Sequence, residues 1–275
     1  MEIIFNQLSY IENKKTSSEK KYFDEANFVI NSSSIVGIKM DYSDIIGELL
    51  MVLKRPTKGE IKLDNIIIKR TTHVNNVNEL RKKIGIVPFE NNVYLKKTVK
   101  DEIKNAMTNY GYKTKNIVKH IVDSLTIVGL DDSYLERDPN TLSFVEKKKV
   151  NFALVMSYNP EVLVIESFDK GLTFREREYF RKLFLKLKNK YNKTIILVNS
   201  ELPFMFDVVD KLIVINKGKV VISGDKDIFY EDKLYKYVEI PKIVEFIKYA
   251  NNEGHNILEY TDIKELIKGL YRDVK

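Results

Sequence analysis

The chain has 275 residues, of which 44% are hydrophobic and 31% charged, and this length and composition suit one large globular unit or one unit with an appendage. It contains no cysteine, which excludes disulfides and thiolate zinc sites, and no apolar run approaches the roughly 18 residues that cross a bilayer. The net charge of +7 arises from 46 basic and 39 acidic residues spread along the chain, so we expect a mildly basic surface and no nucleic-acid partner.

The first third of the chain has the pattern of β-structure. Apolar runs predict strands at residues 3–5, 28–30, 35–38 and 84–87. The last of these is almost entirely apolar, which indicates a strand covered on both faces. The pair Asp64-Asn65 separates the runs 60–63 and 66–68, and a two-residue turn of this kind predicts a hairpin.

The remainder of the chain alternates between helix and strand patterns. Helices are predicted at 117–128, which ends before Gly129, from Thr141 or Ser143 to about Ser157, and at 174–190. Strands are predicted at 162–165 and 194–198, and a hairpin from 212–215 and 220–223. Strands that alternate with helices indicate a parallel sheet flanked by helices.

A helical tail follows Asp225. Residues 240–252 and 262–269 form two short amphipathic stretches, and Asp262 with Glu265 has the form of a capping box. Two interpretations remain open at this point. The tail either packs on the main unit as an appendage or serves as a dimerisation element.

Several strings, in a consistent order, resemble the ABC ATPases, specifically those that power energy-coupling-factor (ECF) transporters. These strings are PTKGEI (56–61), RKKIGIV (81–87), TVKDEI (98–103), the long segment 142–172, VVDKLIVINKGKVVISGDKDIF (208–229), and the tail 237–254 followed by DIKELIKGL (262–270). The resemblance implies an α/β fold, with a P-loop NTPase-like core, an antiparallel β subdomain and a helical subdomain at about 91–159. This ABC nucleotide-binding-like domain would span 1–228, and a small C-terminal helical extension 229–275.

The phosphate-binding loop that the resemblance implies has lost its usual residues. ABC proteins hold phosphates on a glycine-rich GxxxxGK loop, because glycines let several backbone amides converge on the anion. Neither GKS, GKT nor GxxxxGK occurs in this chain. The resemblance places the degenerate ATP site at Met40, Asp41, Tyr42, Ser43, Asp44 and Ile45, with Ser43 near the lysine position and Asp44 near the magnesium-binding hydroxyl. A carboxylate ~4 Å from a phosphate charge costs about 4 kcal/mol at an effective dielectric of about 20.

The other positions implied by the resemblance also lack the residues that ABC proteins use to bind and hydrolyse ATP. Glu12 stands where an aromatic residue stacks on adenine, and Phe89 replaces the Q-loop glutamine. The signature segment reads Leu142, Ser143, Phe144, Val145 and Glu146 instead of LSGGQ. Glu166 takes the metal-ligand position, while Ser167, Thr173 and Ser200 replace the catalytic glutamate, the D-loop aspartate and the switch histidine.

The resemblance therefore predicts a degenerate, pseudo-ATPase subunit of an ECF-type transporter. We expect a heterodimer with a competent ABC ATPase, docking on a transmembrane coupling component through Glu90–Leu95, and a location in the cytoplasm at the inner face of the cell membrane. No cofactor is expected, although weak binding of ATP with magnesium, or of a metal at Glu166, is left open. The alternative is a stand-alone regulatory module whose old ATP cleft is filled by Tyr42, Phe89 and Phe144.

Overall fold

The computed structural model describes residues 1–42, 45–89, 94–260 and 263–273. Its strands form two sheets. The strands are β1 (Ile3–Glu12), β2 (Lys20–Ile30), β3 (Ile35–Lys39), β4 (Lys58–Leu63), β5 (Ile66–Ile68), β6 (Ile84–Val87), β7 (Val162–Glu166), β8 (Thr194–Val198), β9 (Lys211–Asn216) and β10 (Lys219–Asp225).

Helices cover the larger sheet and form the tail. They are α1 (Ile45–Leu50), α2 (Asn78–Lys82), α3 (Val99–Asn109), α4 (Ile117–Ile127), α5 (Phe144–Met156), α6 (Phe174–Tyr191), α7 (Leu202–Val208), α8 (Lys242–Asn252) and α9 (Ile263–Asp273). Short 3₁₀ turns lie at Val74–Val77, Asp132–Tyr134, Pro139–Thr141, Lys226–Tyr230 and Asp232–Lys236.

The six-stranded sheet has the order β10-β9-β3-β8-β7-β6, and all of its pairs are parallel except β10 with β9. The strands β3, β6, β7, β8 and β9 are almost entirely buried, as the apolar run at 84–87 predicted for β6, whereas the edge strand β10 is partly exposed. In β7, Leu163 and Ile165 face the core shared with the helices, whereas Val162 and Val164 face the core shared with the antiparallel sheet β2-β1-β4-β5. Because successive side chains of a strand point to opposite faces of the sheet, β7 contributes to both hydrophobic cores.

Most predicted elements are confirmed at nearly the predicted bounds. The hairpin turns at Asp64, whose φ is +47°, and α4 ends before Gly129, whose φ is +73°. The runs at 3–5 and 28–30 located strands but underestimated their length, because β1 continues to Glu12 past a register shift near Gln7. That residue has a φ of +46°, and such a bulge interrupts the regular alternation that sequence patterns depend on.

The tail packs on the main body. Val244 of α8 is fully buried and belongs to the same core as the helices of the large sheet. The hydroxyl of Tyr230 donates to the carbonyl oxygen of Tyr260 (2.5 Å), which holds the segment between α8 and α9. This supports the appendage interpretation for α8. The capping box predicted at Asp262 lies outside the described residues, and the domain bounds 1–228 and 229–275 stay predictions.

An aromatic cluster joins α5, α6 and the loop after β7. The ring of Phe152 lies 5.5 Å from that of Phe168, 5.9 Å from Phe180 and 5.8 Å from Phe184. We expect Phe152→Ala to lower the free energy of unfolding by about 3–5 kcal/mol, because it leaves a cavity among these rings. Urea unfolding measures the effect. Phe174→Ala is the matched control, because that side chain is 79% exposed, and an equal loss in both variants would contradict the prediction.

Candidate functional site

Three loops meet at the carboxyl edge of the parallel sheet. In the register of β3, β8 and β7, Ile38 pairs with Val198, and Val198 pairs with Glu166. The residues that follow these three strands therefore lie side by side. Ligands of parallel α/β sheets bind at this edge, so it is the candidate functional site.

A reciprocal pair of hydrogen bonds joins the loop after β3 to the loop after β8. The amide of Met40 donates to Oδ1 of Asn199 (2.8 Å), and Nδ2 of Asn199 donates to the carbonyl oxygen of Met40 (2.8 Å). The amide of Asn199 in turn donates to the carbonyl oxygen of Ile38 (2.9 Å). The first amide of the predicted phosphate loop is thus already satisfied within the chain.

A lysine, Lys39, lies at the same edge, and its ammonium group is hydrogen-bonded to the backbone. Nζ of Lys39 donates to the carbonyl oxygen of Ser200 (3.2 Å). Burial lowers the pKa of Lys39, as does the nearby Lys170, while Asp169 and Glu201 act in the opposite direction. The amine therefore connects β3 to the loop after β8.

The remaining residues of the predicted phosphate loop have separate surroundings. Oδ2 of Asp41 accepts a hydrogen bond from the amide of Lys217 in the β9–β10 turn (2.9 Å). The Tyr42 ring lies 4.9 Å from the Tyr22 ring, and Ile45 is buried at the start of α1. The positions predicted for the phosphate clamp itself, Ser43 and Asp44, lie outside the described residues.

At the position predicted for adenine stacking, Glu12 accepts three hydrogen bonds. The donors are Nζ of Lys54 (2.9 Å) and the hydroxyls of Tyr10 (2.8 Å) and Tyr22 (3.2 Å). The hydrogen bond from Lys54 is the main reason why the pKa of Glu12 is lowered. Tyr22 therefore contacts both Glu12 and Tyr42 and brings them into one cluster.

Lys148 is a residue of this edge that the sequence analysis missed. Its buried ammonium donates to the carbonyl oxygens of Ser167 (3.3 Å), Phe168 (3.0 Å) and Lys170 (2.7 Å), and burial lowers its pKa to about 8. A signal was available in the sequence. Lys148 lies four residues from Phe144 and four from Phe152, so it lies on the apolar face of the helix and requires acceptors there.

Phe89 and Phe144 lie together beside Lys148. Their rings are 6.2 Å apart with edge-to-face geometry, and Nζ of Lys148 lies 4.8 Å from the centre of the Phe144 ring. Two of the three aromatic residues predicted to fill the cleft are therefore in contact. The third, Tyr42, contacts Tyr22.

The signature segment begins α5. Ser143 and Glu146 form a capping box, in which the Ser143 amide donates to Oε2 of Glu146 (2.9 Å) and the Glu146 amide donates to Oγ of Ser143 (3.3 Å). Oε1 of Glu146 also accepts from the hydroxyl of Tyr134 (2.6 Å) and lies 3.6 Å from Arg137. Leu142 is buried and Val145 half-buried. Tyr134 is the main reason why the pKa of Glu146 falls to about 2.

The end of β7 carries the predicted catalytic positions. Glu166 is buried there, and the described residues contain no group of three or more His, Cys, Asp or Glu side chains that could hold a metal. Ser167 has a φ of +44°, and its hydroxyl donates to the carbonyl oxygen of Asn199 (3.2 Å). Thr173 caps α6 in a second capping box with Glu176.

Two buried polar atoms at this edge have no hydrogen-bond partner among the residues that the structure describes. They are Oδ1 of Asp169 and Oγ of Ser200. The other oxygen of Asp169 accepts from the amide of Glu201 (3.0 Å). The two serines that take the predicted catalytic positions, Ser167 and Ser200, are therefore both buried, and only Ser167 has a hydrogen bond from its hydroxyl.

Comparison with known proteins decides the family. A sequence family described as "ABC transporter" matches residues 46–167. The energy-coupling factor transporter ATP-binding protein EcfA2 of Enterococcus faecalis is 30% identical over 253 residues, which cover 90% of this chain and 88% of that protein. The chain belongs to the ABC transporter ATP-binding protein family. The EcfA2 protein of Lactiplantibacillus plantarum is 26% identical and covers 94% of this chain and 90% of its own length.

Solved structures of ABC proteins share the fold. A dimeric bacterial ABC transporter cassette matches with a TM-score of 0.70 at 19% identity, covering 82% of this chain and 98% of the cassette. The Clostridium perfringens protein cbiO1, part of the ABC transporter complex cbiONQ, matches with a TM-score of 0.69 at 21% identity, covering 90% and 98%. The predicted fold class is thus confirmed. No helix in the described ranges is long and apolar enough to span a bilayer.

The charge of Glu146 should make the start of this ABC protein's α5 sensitive to acid. Because its pKa falls from 4.5 to about 2 on folding, the carboxylate stabilises the fold above pH 4.5 and loses this effect as the pH falls toward 2. We expect Glu146→Gln to lower the free energy of unfolding by about 1–2 kcal/mol at pH 7. Urea unfolding at several pH values tests this. A difference that persists unchanged at acid pH would contradict it.

Proposed function

We propose that this ABC protein is a non-hydrolysing subunit of an ECF-type transporter, paired with a competent ABC ATPase at the cytoplasmic face of the membrane. The observation that carries the proposal is the reciprocal bonding of Met40 and Asn199. A phosphate loop must present unpaired backbone amides to its anion. The amide of Met40, which begins this loop, already donates a hydrogen bond to Asn199 of the same chain.

The charges around the loop also disfavour a triphosphate. Asp41 and Asp44 place two carboxylates within this short segment, and the sequence offers no glycine or lysine between Met40 and Ile45. Lys39 and Lys148 lie at the edge, but backbone carbonyl oxygens accept their hydrogen bonds. The residues present do not fit tight binding of ATP.

Hydrolysis would need a group that takes a proton from water. General bases in enzymes are usually His, Glu or Asp side chains whose pKa lies near the pH at which the enzyme works. The implied positions hold Ser167 and Ser200, and a serine hydroxyl is no base at neutral pH. Glu166 stands next to Ser167 at the end of β7, where it could serve a cation. The proposal therefore assigns hydrolysis to the partner subunit.

The proposed role in a transporter rests on the relatives, whose names describe ATP-binding proteins of energy-coupling factor transporters. The predicted docking segment is Glu90–Leu95, of which 90–93 lie outside the described residues. Tyr94 is buried, and its hydroxyl donates to Oδ1 of Asn151 (2.7 Å), whereas Leu95 is 78% exposed. Leu95 borders a groove of about 460 Å³ along α3 that three lysines also line. We assign the transmembrane coupling component to this groove.

The C-terminal extension offers a second contact surface for pairing. Several apolar or aromatic side chains of this extension are exposed, namely Phe246, Tyr249, Leu258, Ile267 and Tyr271. A concavity of about 300 Å³ between α8 and α9 includes the first two of these residues. Exposed apolar clusters of this kind mark protein interfaces. We assign pairing with the ATPase to this surface together with the α5 end that carries Phe144.

One observation favours the alternative of a stand-alone regulatory module. The contact between Phe89 and Phe144 covers part of the edge without any second protein. The two functions differ in what accompanies the chain in its own cell. Isolation with a transmembrane transporter component and an intact ATPase supports the transporter subunit, and isolation with neither supports the module.

Addition of ATP and magnesium should leave the stability of the isolated chain unchanged. A ligand present at 100 times its dissociation constant would raise the free energy of unfolding by about 2.7 kcal/mol. Thermal unfolding with and without nucleotide tests this, and the intact ATPase partner serves as the positive control. Micromolar binding that requires magnesium would contradict the proposal.

In the assembled complex, Ser200→Ala should leave the ATP hydrolysis rate unchanged, because the hydroxyl has no described partner and no proposed catalytic role. Replacement of the phosphate-loop lysine in the partner ATPase should abolish hydrolysis. The hydrolysis rate of both complexes is the measurement. A large loss with Ser200→Ala would place catalysis in this chain.

The docking assignment predicts that Leu95→Glu weakens assembly with the transmembrane component. The carboxylate would remove the apolar contact that Leu95 offers, and it would have to lose its water on assembly, which costs free energy. Leu53→Glu is the matched control, because Leu53 is an exposed leucine away from the α3 groove. Co-purification from membranes measures both variants. Equal recovery of the component with the two variants would overturn the assignment.

A further inference from the structure

A pocket of about 190 Å³ lies between α4, the C-terminal end of α5 and α6, away from the carboxyl edge of the sheet. The hydroxyl of Tyr179 on α6 donates to the carbonyl oxygen of Ile127 at the end of α4 (2.9 Å) and joins the two helices there. Ile127, Tyr112 and Tyr191 are among the residues that line the pocket. A ligand in it would contact both helices.

The interior of the pocket is mainly apolar. Ile127, Met156, Leu183 and Leu187 line it, and the α6 residues recur at a helical spacing that puts them on one face. Its volume is below the roughly 300–1,000 Å³ of pockets for drug-sized ligands. The pocket therefore suits a small molecule with a compact apolar body.

Two of the polar residues that line the pocket are engaged by the protein itself. Nζ of Lys193 donates to Oδ1 of Asn159 (2.6 Å) and to the carbonyl oxygens of Asn159 (3.3 Å) and Pro160 (2.5 Å), which uses all three ammonium hydrogens. Nε2 of His120 lies 2.8 Å from the carbonyl oxygen of Ser157, so this nitrogen carries a hydrogen. Both residues hold the end of α5 in place.

The two remaining charges of the pocket have opposite sign. Asp123 on α4 and Lys186 on α6 both line the pocket and are exposed. In the described parts of the chain, neither takes part in an ion pair, either with the other or with a third residue. A carboxylate and an ammonium group therefore border one apolar pocket on opposite helices, and both are available to a ligand.

We propose that this pocket binds a free α-amino acid with an apolar side chain. Asp123 would bind the ammonium group, Lys186 would bind the carboxylate, and the side chain would lie against Ile127, Met156 and Leu183. A zwitterion matches the pair of charges because it carries both signs on neighbouring groups, and the apolar side chain matches the interior. The proposal goes beyond the transporter role and does not depend on it.

Titration of the full chain with L-leucine and L-phenylalanine, followed by calorimetry, tests the proposal. We expect saturable binding of at least one of them. Isopentylamine, which lacks the carboxylate, and isocaproate, which lacks the ammonium group, should bind about tenfold more weakly, because each loses one charge-assisted contact. Glycine should also bind more weakly, since it has no side chain to bury.

Three variants locate the site. Asp123→Asn and Lys186→Gln should each weaken binding of the amino acid about tenfold. Both residues are exposed, so the variants should fold, and far-ultraviolet circular dichroism checks this. Lys182→Gln, one turn earlier on α6 and also exposed, should bind like the wild type.

Absence of saturable binding of both amino acids at millimolar concentration would overturn the proposal. Equal affinity of the Asp123→Asn and Lys186→Gln variants and the wild type would overturn it too, as would equal affinity for isopentylamine. None of these results bears on the transporter role, because the titration uses the isolated chain without nucleotide or membrane component.

Discussion

Every backbone polar group at the carboxyl edge of a parallel sheet needs a partner, because burial without one costs free energy. In this chain the side chains of Asn199 and Lys148 supply many of those partners. Asn199 bonds both backbone groups of Met40, and Lys148 bonds three carbonyl oxygens of the loop after β7. Hydrogen bonds within the protein therefore hold this edge together.

The same principle gives the signature segment its role in the structure. Helix α5 begins at a capping box of Ser143 and Glu146, and α6 begins at a second one of Thr173 and Glu176. Each box satisfies amides of the first turn that would otherwise need water or a ligand. Ser143 and Glu146 of the predicted signature segment thus stabilise the start of the helix that follows.

The strands and the helices α4, α5, α6 and α8 could be predicted because their apolar periodicity is local, but α3 was not predicted as a separate helix. The short helix α7 was not predicted, since Leu202–Val208 is almost all apolar and has no clear period. The family positions could also be proposed from local strings, and they stay predictions. The partners of those positions could not, because Met40 and Asn199 are 159 residues apart in the chain and meet only through the pairing of β3 with β8. Lys148 gave a local signal on the helix, but its three acceptors lie about 20 residues away, beyond β7.

The lysines at this edge are hydrogen-bonded to backbone carbonyl oxygens. Burial lowers the pKa of both Lys39 and Lys148, because taking an ammonium group out of water costs free energy. The carbonyl oxygens bonded to these amines offset part of that cost. If either amine turned toward a phosphate, those carbonyl oxygens would lose their partner in a buried place. The ammonium groups at this edge thus stabilise the loops. An anion that competes for them would have to bind with a free energy greater than that of the hydrogen bonds that it displaces.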